Sequence, residues 1–82
     1  MDKIKVTFEY AGDVLALEVP PEQHIEGPWH RALAKFGIQP ADAANLGLFR
    51  DGQELLLQQS FEQAGITDGA TLRIRPRVQR NG

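Results

Sequence analysis

The chain has 82 residues, of which 24% are charged, and it contains no cysteine. This length allows one small domain that buries roughly 60–65% of the surface of its unfolded chain, and the lack of cysteine excludes disulfides and thiolate metal sites. No apolar run approaches the length of a membrane span, and residues 1–5 lack the apolar core of a signal peptide. A soluble, cytoplasmic protein without a membrane partner is therefore expected.

Charge is distributed unevenly along the chain. Residues 1–72 carry five basic and eleven acidic side chains, whereas residues 73–82 carry four basic side chains and no acidic one. A nucleic-acid-binding domain normally presents a basic face on its folded part, and no aromatic residue is interleaved in this arm for base stacking. We predict that no nucleic acid is bound. A folded domain over residues 1–76 and a flexible basic tail over residues 77–82 are expected.

The first twenty residues have the pattern of a β-hairpin. Ile4, Val6 and Phe8 alternate with polar residues, which is typical of a half-buried strand. Residues 11–13 have the composition of a turn, residues 15–19 alternate again, and the prolines that follow end the second strand because they cannot extend a ladder.

One helix is predicted after this hairpin. Apolar side chains recur at three- and four-residue spacing at Trp29, Leu33 and Phe36. Pro28 fits the first turn, where its missing N–H costs nothing, and Gly37 is a natural left-handed stop. Trp29 is interpreted as an anchor of the core rather than as a binding residue.

Strands return in the C-terminal half. Residues 46–49 lead into Asp51–Gly52, a strong signal for a tight turn, and residues 54–57 form the answering short strand. Residues 60–63 have the pattern of a capping box on one turn of helix, and residues 71–74 form a last alternating strand. Because a strand buries alternate residues, either Leu56 or both of its leucine neighbours should be exposed, and with Leu48 and Tyr10 they could form an apolar partner patch.

This order of elements admits few topologies. A hairpin at each end and a helical crossover between them place the first and last strands side by side as a parallel pair. The predicted fold class is α+β: a β-grasp, with one helix packed across one face of a mixed sheet of four to five strands.

Several segments keep the order and spacing of one known family. These are residues 17–19 with a proline after them, Ile25 with a glycine twelve residues later, residues 48–55, Phe61 and Ile66, and Thr71 with Leu72. Over residues 4–82 the chain resembles ubiquitin, and it is most similar to bacterial ubiquitin-like modifiers. Such modifiers are encoded beside an activating enzyme, a conjugating enzyme and a deubiquitinase-like peptidase.

The resemblance implies a function for the end of the chain. The Gly82 carboxylate would be adenylated by an activating enzyme, passed to a conjugating enzyme, joined to a target protein and released by a deconjugating peptidase. Ubiquitin has two terminal glycines, whereas Asn81 precedes Gly82 here. The resemblance implies that the tail arginines Arg77 and Arg80 contact acidic residues of the activating enzyme, with steering as their main effect. Arg73 and Arg75 lie on one face of the final strand and could be a solvated stripe.

The resemblance also implies a binding face. In ubiquitin this face centres on an exposed third-strand isoleucine flanked by a leucine and a valine. The matching positions here are Gly47 or Leu48, Tyr10, and Arg75. Because these residues are more polar, the usual receptors of ubiquitin are not expected to bind, and Tyr10, Leu48 and Arg75 are the candidate partner-binding residues.

The residues themselves suggest no catalytic site, metal site or cofactor. His24 and His30 have no cysteine to accompany them, and Ser60 is already explained as a helix cap. The chain is therefore expected not to be an enzyme. Two alternatives stay open: a β-grasp interaction module that is never conjugated, and a sulfur carrier, which normally needs the double glycine that is missing here.

Overall fold

A mixed five-stranded sheet with a helix on one face makes up residues 3–77, the part of the chain that the computed structural model describes. The strands lie in the order β2-β1-β5-β3-β4. Their bounds are β1 Ile4–Tyr10, β2 Asp13–Val19, β3 Leu46–Arg50, β4 Gln53–Glu54 and β5 Ala70–Pro76, and the helices are α1 Glu26–Phe36 and α2 Pro40–Ala43.

The parallel pair at the centre of the sheet confirms the predicted topology. β1 and β5 run parallel, with Val6 opposite Ala70 and Phe8 opposite Leu72. β1 pairs antiparallel with β2, and β3 pairs antiparallel with both β4 and β5. The fold is therefore an α+β β-grasp.

The core lies between the sheet and α1. Val6, Phe8 and Leu72 are fully buried at the centre of the sheet, and Trp29 and Leu33 of the helix are 5% and 8% exposed. Each such side chain stabilises the fold by about 1.5–3 kcal/mol through burial alone. Trp29 is a core anchor, as predicted.

The end of α1 is also as predicted. Gly37 adopts a left-handed conformation with φ of 71°, which costs a residue without a Cβ little. The Gly37 N–H donates to the Ala34 carbonyl, and the Ile38 N–H donates to the Leu33 carbonyl at 2.9 Å. The chain then forms α2, a short helix that the sequence did not predict, with Pro40 at its first position, where proline is favoured.

The β3–β4 connection is the predicted tight turn, but the strand after it is shorter than expected. Asp51 and Gly52 have φ of 52° and 82°, the pattern of a type I′ hairpin turn. β4 ends at Glu54, whereas a strand over residues 54–57 was predicted. The backbone leaves the sheet because the carbonyls of Leu57 and Gln59 accept hydrogen bonds from the start of α1, from the Glu26 and Ile25 N–H groups.

Leu56 is the exposed member of the leucine triplet, at 61%, and its two leucine neighbours are half-buried. The capping box is confirmed. The Ser60 N–H donates to Gln63 Oε1 at 2.9 Å, and the Gln63 N–H donates to Ser60 Oγ at 3.1 Å.

Candidate partner-binding face and the base of the C-terminal arm

The face of the sheet opposite the helix, called the outer face below, carries the charged side chains. Because side chains alternate along a strand, the residues next to the buried ones point to this face. Among them are Glu9 on β1, Gly47 and Phe49 on β3, and Arg73 and Arg75 on β5, and the register adds Glu54 of β4, opposite Phe49.

The strand register puts four of these residues in one row. Glu9 lies opposite Arg73, Arg73 opposite Phe49, and Phe49 opposite Glu54. Residues from four different strands therefore form one continuous surface, with acids at its two ends and an arginine and an aromatic ring between them.

Two ion pairs organise this face. Arg73 Nε lies 2.7 Å from Glu9 Oε1, and Arg77 Nε lies 2.9 Å from Glu54 Oε2. In each pair the arginine is about half exposed and the glutamate is 36% exposed. Such pairs contribute only about 0–1 kcal/mol to stability, so their main effect is to orient the arginines.

Arg75 lies between the two pairs and is exposed. No carboxylate of residues 3–77 lies within 4 Å of its guanidinium. Together with Phe49, Arg73 and Pro76 it lines a shallow groove. A guanidinium beside an aromatic ring can bind a carboxylate of a partner by donating two parallel hydrogen bonds to it.

The base of the C-terminal arm, residues 76–77, is attached to the sheet. Pro76 lies opposite Leu46 at the end of β5, and the Arg77 N–H donates to the Asn45 carbonyl at 2.9 Å. With the Glu54 ion pair, Arg77 is held at both its backbone and its side chain. Arg77, the first residue after β5, is thus attached to the sheet at the residue where the predicted tail begins. The rest of that tail, which includes Arg80, Asn81 and Gly82, lies outside the described residues.

No protein-family model matches the chain, and neither does any curated protein. Solved structures do match. A protein designed on the basis of ubiquitin has a TM-score of 0.77 at 25% identity, covering 98% of this chain and 95% of that one. Ubiquitin from Caldiarchaeum subterraneum has a TM-score of 0.76 at 22% identity, covering 96% of this chain and 99% of that one. An N-terminal ubiquitin-like domain solved in solution has a TM-score of 0.66 at 22% identity, covering 98% of this chain and 80% of that one.

The chain has the ubiquitin-like β-grasp fold.

Within this ubiquitin-like fold, the predicted partner-binding residues do not come together. Leu48 is 1% exposed and packs in the core, so its predicted place in the binding face is wrong. Tyr10 lies on the helix side, with its ring centroid 5.9 Å from that of Phe36. Arg75 lies on the outer face, and of the two third-strand positions considered, Gly47 is the one opposite it.

Sequence reasoning missed Phe49 and Glu54 as outer-face residues. Alternation places Phe49 on this face once Leu48 is assigned to the core, since the neighbours Gly47 and Phe49 then point the other way. Glu54 carried no such signal, because its place depends on the two-residue turn and on the shortness of β4.

Other chemistry in residues 3–77 is limited. No group of three or more His, Asp or Glu side chains is placed to hold a metal ion there. The Ser60 hydroxyl is engaged as a helix cap. Within the same range no helix is long and apolar enough to cross a membrane.

Proposed function

We propose that this chain is a ubiquitin-like protein modifier of the kind found in bacterial conjugation systems. An activating enzyme joins the Gly82 carboxylate to the AMP of ATP and releases pyrophosphate. A cysteine thiol of a partner then displaces AMP to form a thioester, and an amine of a target protein displaces the thiol to form an amide. A deconjugating peptidase hydrolyses that bond. All catalytic groups belong to the partners, and the chain itself is not an enzyme.

The observation that carries this proposal is the ubiquitin-like fold, in which β5 is the last strand of residues 3–77. β5 brings Arg77 to the edge of the outer face, and five further residues follow it in the sequence, with Gly82 the last of them. Gly82 itself has no side chain beside its carboxylate. This suits a narrow active-site channel of a partner.

The arginines supply the contacts with those partners. Arg75 is exposed without a carboxylate partner in residues 3–77, and Arg77 and Arg80 follow it at the base and along the arm. Acidic residues of an activating enzyme would pair with them and orient the arm, which affects the association rate more than the affinity. Asn81 excludes partner enzymes whose active-site channel has no room for a side chain next to the terminal glycine.

Mass spectrometry of targets tests the proposal. Trypsin cleaves after Arg80, so each conjugated lysine keeps an Asn-Gly remnant. An N-terminally tagged chain expressed in its native host should yield this remnant on lysines of other proteins. A chain that lacks Gly82 should yield none, and adducts that persist without Gly82 would falsify the proposal. The substitution Asn81→Gly, which changes only the remnant, is the matched control and should leave adduct formation intact.

A second candidate function is a β-grasp interaction module that is never conjugated. The favouring observation is that the row from Glu9 to Glu54 is built from folded residues alone and does not need the arm. Truncation after Arg77 separates the two functions. A module keeps its partner after this truncation, whereas a modifier loses adduct formation completely.

A further inference from the structure

Two elements that are distant in sequence converge on Arg77. Its backbone N–H donates to the carbonyl of Asn45, just before β3, and its side chain pairs with Glu54 of β4 at 2.9 Å. One contact fixes the position of the backbone and the other fixes the direction of the side chain. Arg77 directly follows the last residue of β5, so these contacts act where the chain leaves the sheet.

Gly47 makes the second contact possible. A Cβ atom built on Gly47 would lie 2.8 Å from Glu54 Oε2 and 3.1 Å from Phe49 Cε1. Real Cβ atoms essentially never show the first distance, so a side chain at position 47 would force the Glu54 carboxylate to shift from its observed place. The missing side chain of Gly47 therefore leaves the space that the carboxylate occupies.

We infer that Gly47, Glu54 and Arg77 form a clamp in which Glu54 is a positioning residue for the C-terminal arm. Glu54 holds the guanidinium of Arg77 against the outer face and limits the movement of Arg77 at the point where the chain leaves β5. This inference goes beyond the proposed function, because the clamp acts on the folded chain whether or not Gly82 is conjugated. A partner that takes up the Arg77 guanidinium must first displace the Glu54 carboxylate.

The second ion pair of the outer face is a matched control. Glu9 and Arg73 lie 2.7 Å apart, with nearly the same exposures as Glu54 and Arg77. Arg73, however, lies within β5 and is paired with β1 on one side and with β3 on the other. Its backbone is fixed by both ladders, so loss of the Glu9 carboxylate should leave the base of the arm unchanged.

Limited digestion with trypsin tests the clamp. Trypsin takes the arginine side chain into its specificity pocket, so it can cut the Arg77–Val78 bond only when Arg77 has left Glu54. Cleavage of a transiently opened bond follows the population of the open form. Glu54→Gln should raise the cleavage rate at Arg77–Val78 by about 2–5-fold, the range that loss of an exposed ion pair allows. Cleavage at Arg80–Asn81 in the same sample is the internal reference and should not change.

Two further variants test whether the effect is specific to the Glu54 carboxylate. Gly47→Ala keeps the Glu54 charge but occupies its space, and it should raise the cleavage rate at Arg77–Val78 as Glu54→Gln does. Glu9→Gln should leave that rate at the wild-type value. The clamp is refuted if Glu54→Gln digests like the wild type at Arg77, or if Glu9→Gln gives the same increase.

Hydrogen exchange of the Arg77 amide is an independent measurement. It should be faster in Glu54→Gln and unchanged in Glu9→Gln, and melting curves verify that each variant is folded. Equal exchange in wild type and Glu54→Gln also refutes the clamp. These measurements need no partner enzyme. A result that refutes the clamp therefore does not bear on the conjugation of Gly82, and a result that refutes conjugation does not bear on the clamp.

Discussion

The two faces of the sheet differ in what their side chains contribute. On the helix side, Val6, Phe8 and Leu72 are fully buried, and each stabilises the fold by about 1.5–3 kcal/mol through burial. On the outer face, exposed ion pairs contribute little energy but decide where the arginines point. The same strands therefore hold the fold together on one side and present a charged surface on the other. Substitutions at the two faces should differ in size and in kind.

The largest expected difference concerns two phenylalanines. Phe8 is fully buried, whereas Phe49 is half-buried on the outer face. Phe8→Ala removes a buried ring and leaves a cavity, so it should lower the free energy of unfolding by about 3–5 kcal/mol. Phe49→Ala should lower it by about 1 kcal/mol or less. Urea denaturation measures both, and equal losses would contradict the division between the two faces.

Substitution by alanine should lower the free energy of unfolding at one glycine of the β3–β4 hairpin region and hardly change it at another. Gly52 has φ of 82°, so Gly52→Ala places a side chain in a left-handed conformation and should cost about 1–2 kcal/mol. At Gly47 the obstacles are the movable end of Glu54 and the edge of the half-buried Phe49 ring, and alanine reduces the entropy of the unfolded chain. Gly47→Ala should therefore unfold within about 0.5 kcal/mol of the wild type. Thermal melting of both variants checks this, and a loss at Gly47 as large as at Gly52 would show that its role is in folding rather than in the clamp.

The helix side could be predicted from the sequence because its rules are local. Alternation identified Val6 and Phe8, three- and four-residue spacing identified Trp29, and a single residue type marked the helix end at Gly37. Each of these signals lies within a few residues of the element that it specifies. The parallel central pair then followed from the order of the elements.

The outer face could not be predicted in the same way, because its neighbours are set by register between distant segments. Glu9 and Arg73 are 64 residues apart, and no local pattern brings them together. In the run 46–49 either pair of alternate residues can face the core, and the wrong choice placed Leu48 on the surface. The position of Glu54 depends further on a tight turn and on the early end of β4.

The exposed guanidinium of Arg75 gives a prediction about the binding of an acidic partner. Arg75→Ala should change the free energy of unfolding by less than about 0.5 kcal/mol, because the side chain is exposed and has no carboxylate partner in residues 3–77. Arg75→Ala should nevertheless slow association with an acidic partner, whereas Arg31→Ala on the exposed side of α1 should not. Stopped-flow association with the partner recovered from the native host measures the difference. Equal rates in the two variants would place the partner on another surface.

The coupling between Glu9 and Arg73 is also expected to be small. A double-mutant cycle with Glu9→Gln and Arg73→Gln should give a coupling free energy of about 0.2–1 kcal/mol in favour of the pair. Raising the ionic strength from about 0.01 M to 1 M shortens the Debye length from about 30 Å to 3 Å, so the coupling should fall with added salt. The coupling between Phe8 and Leu72, measured as a control on the helix side, should not fall in this way because those side chains are buried and uncharged. A Glu9–Arg73 coupling that resists salt would mean that the outer face is less open to water than its exposure indicates, and that its ion pairs stabilise the fold as well as orient the arginines.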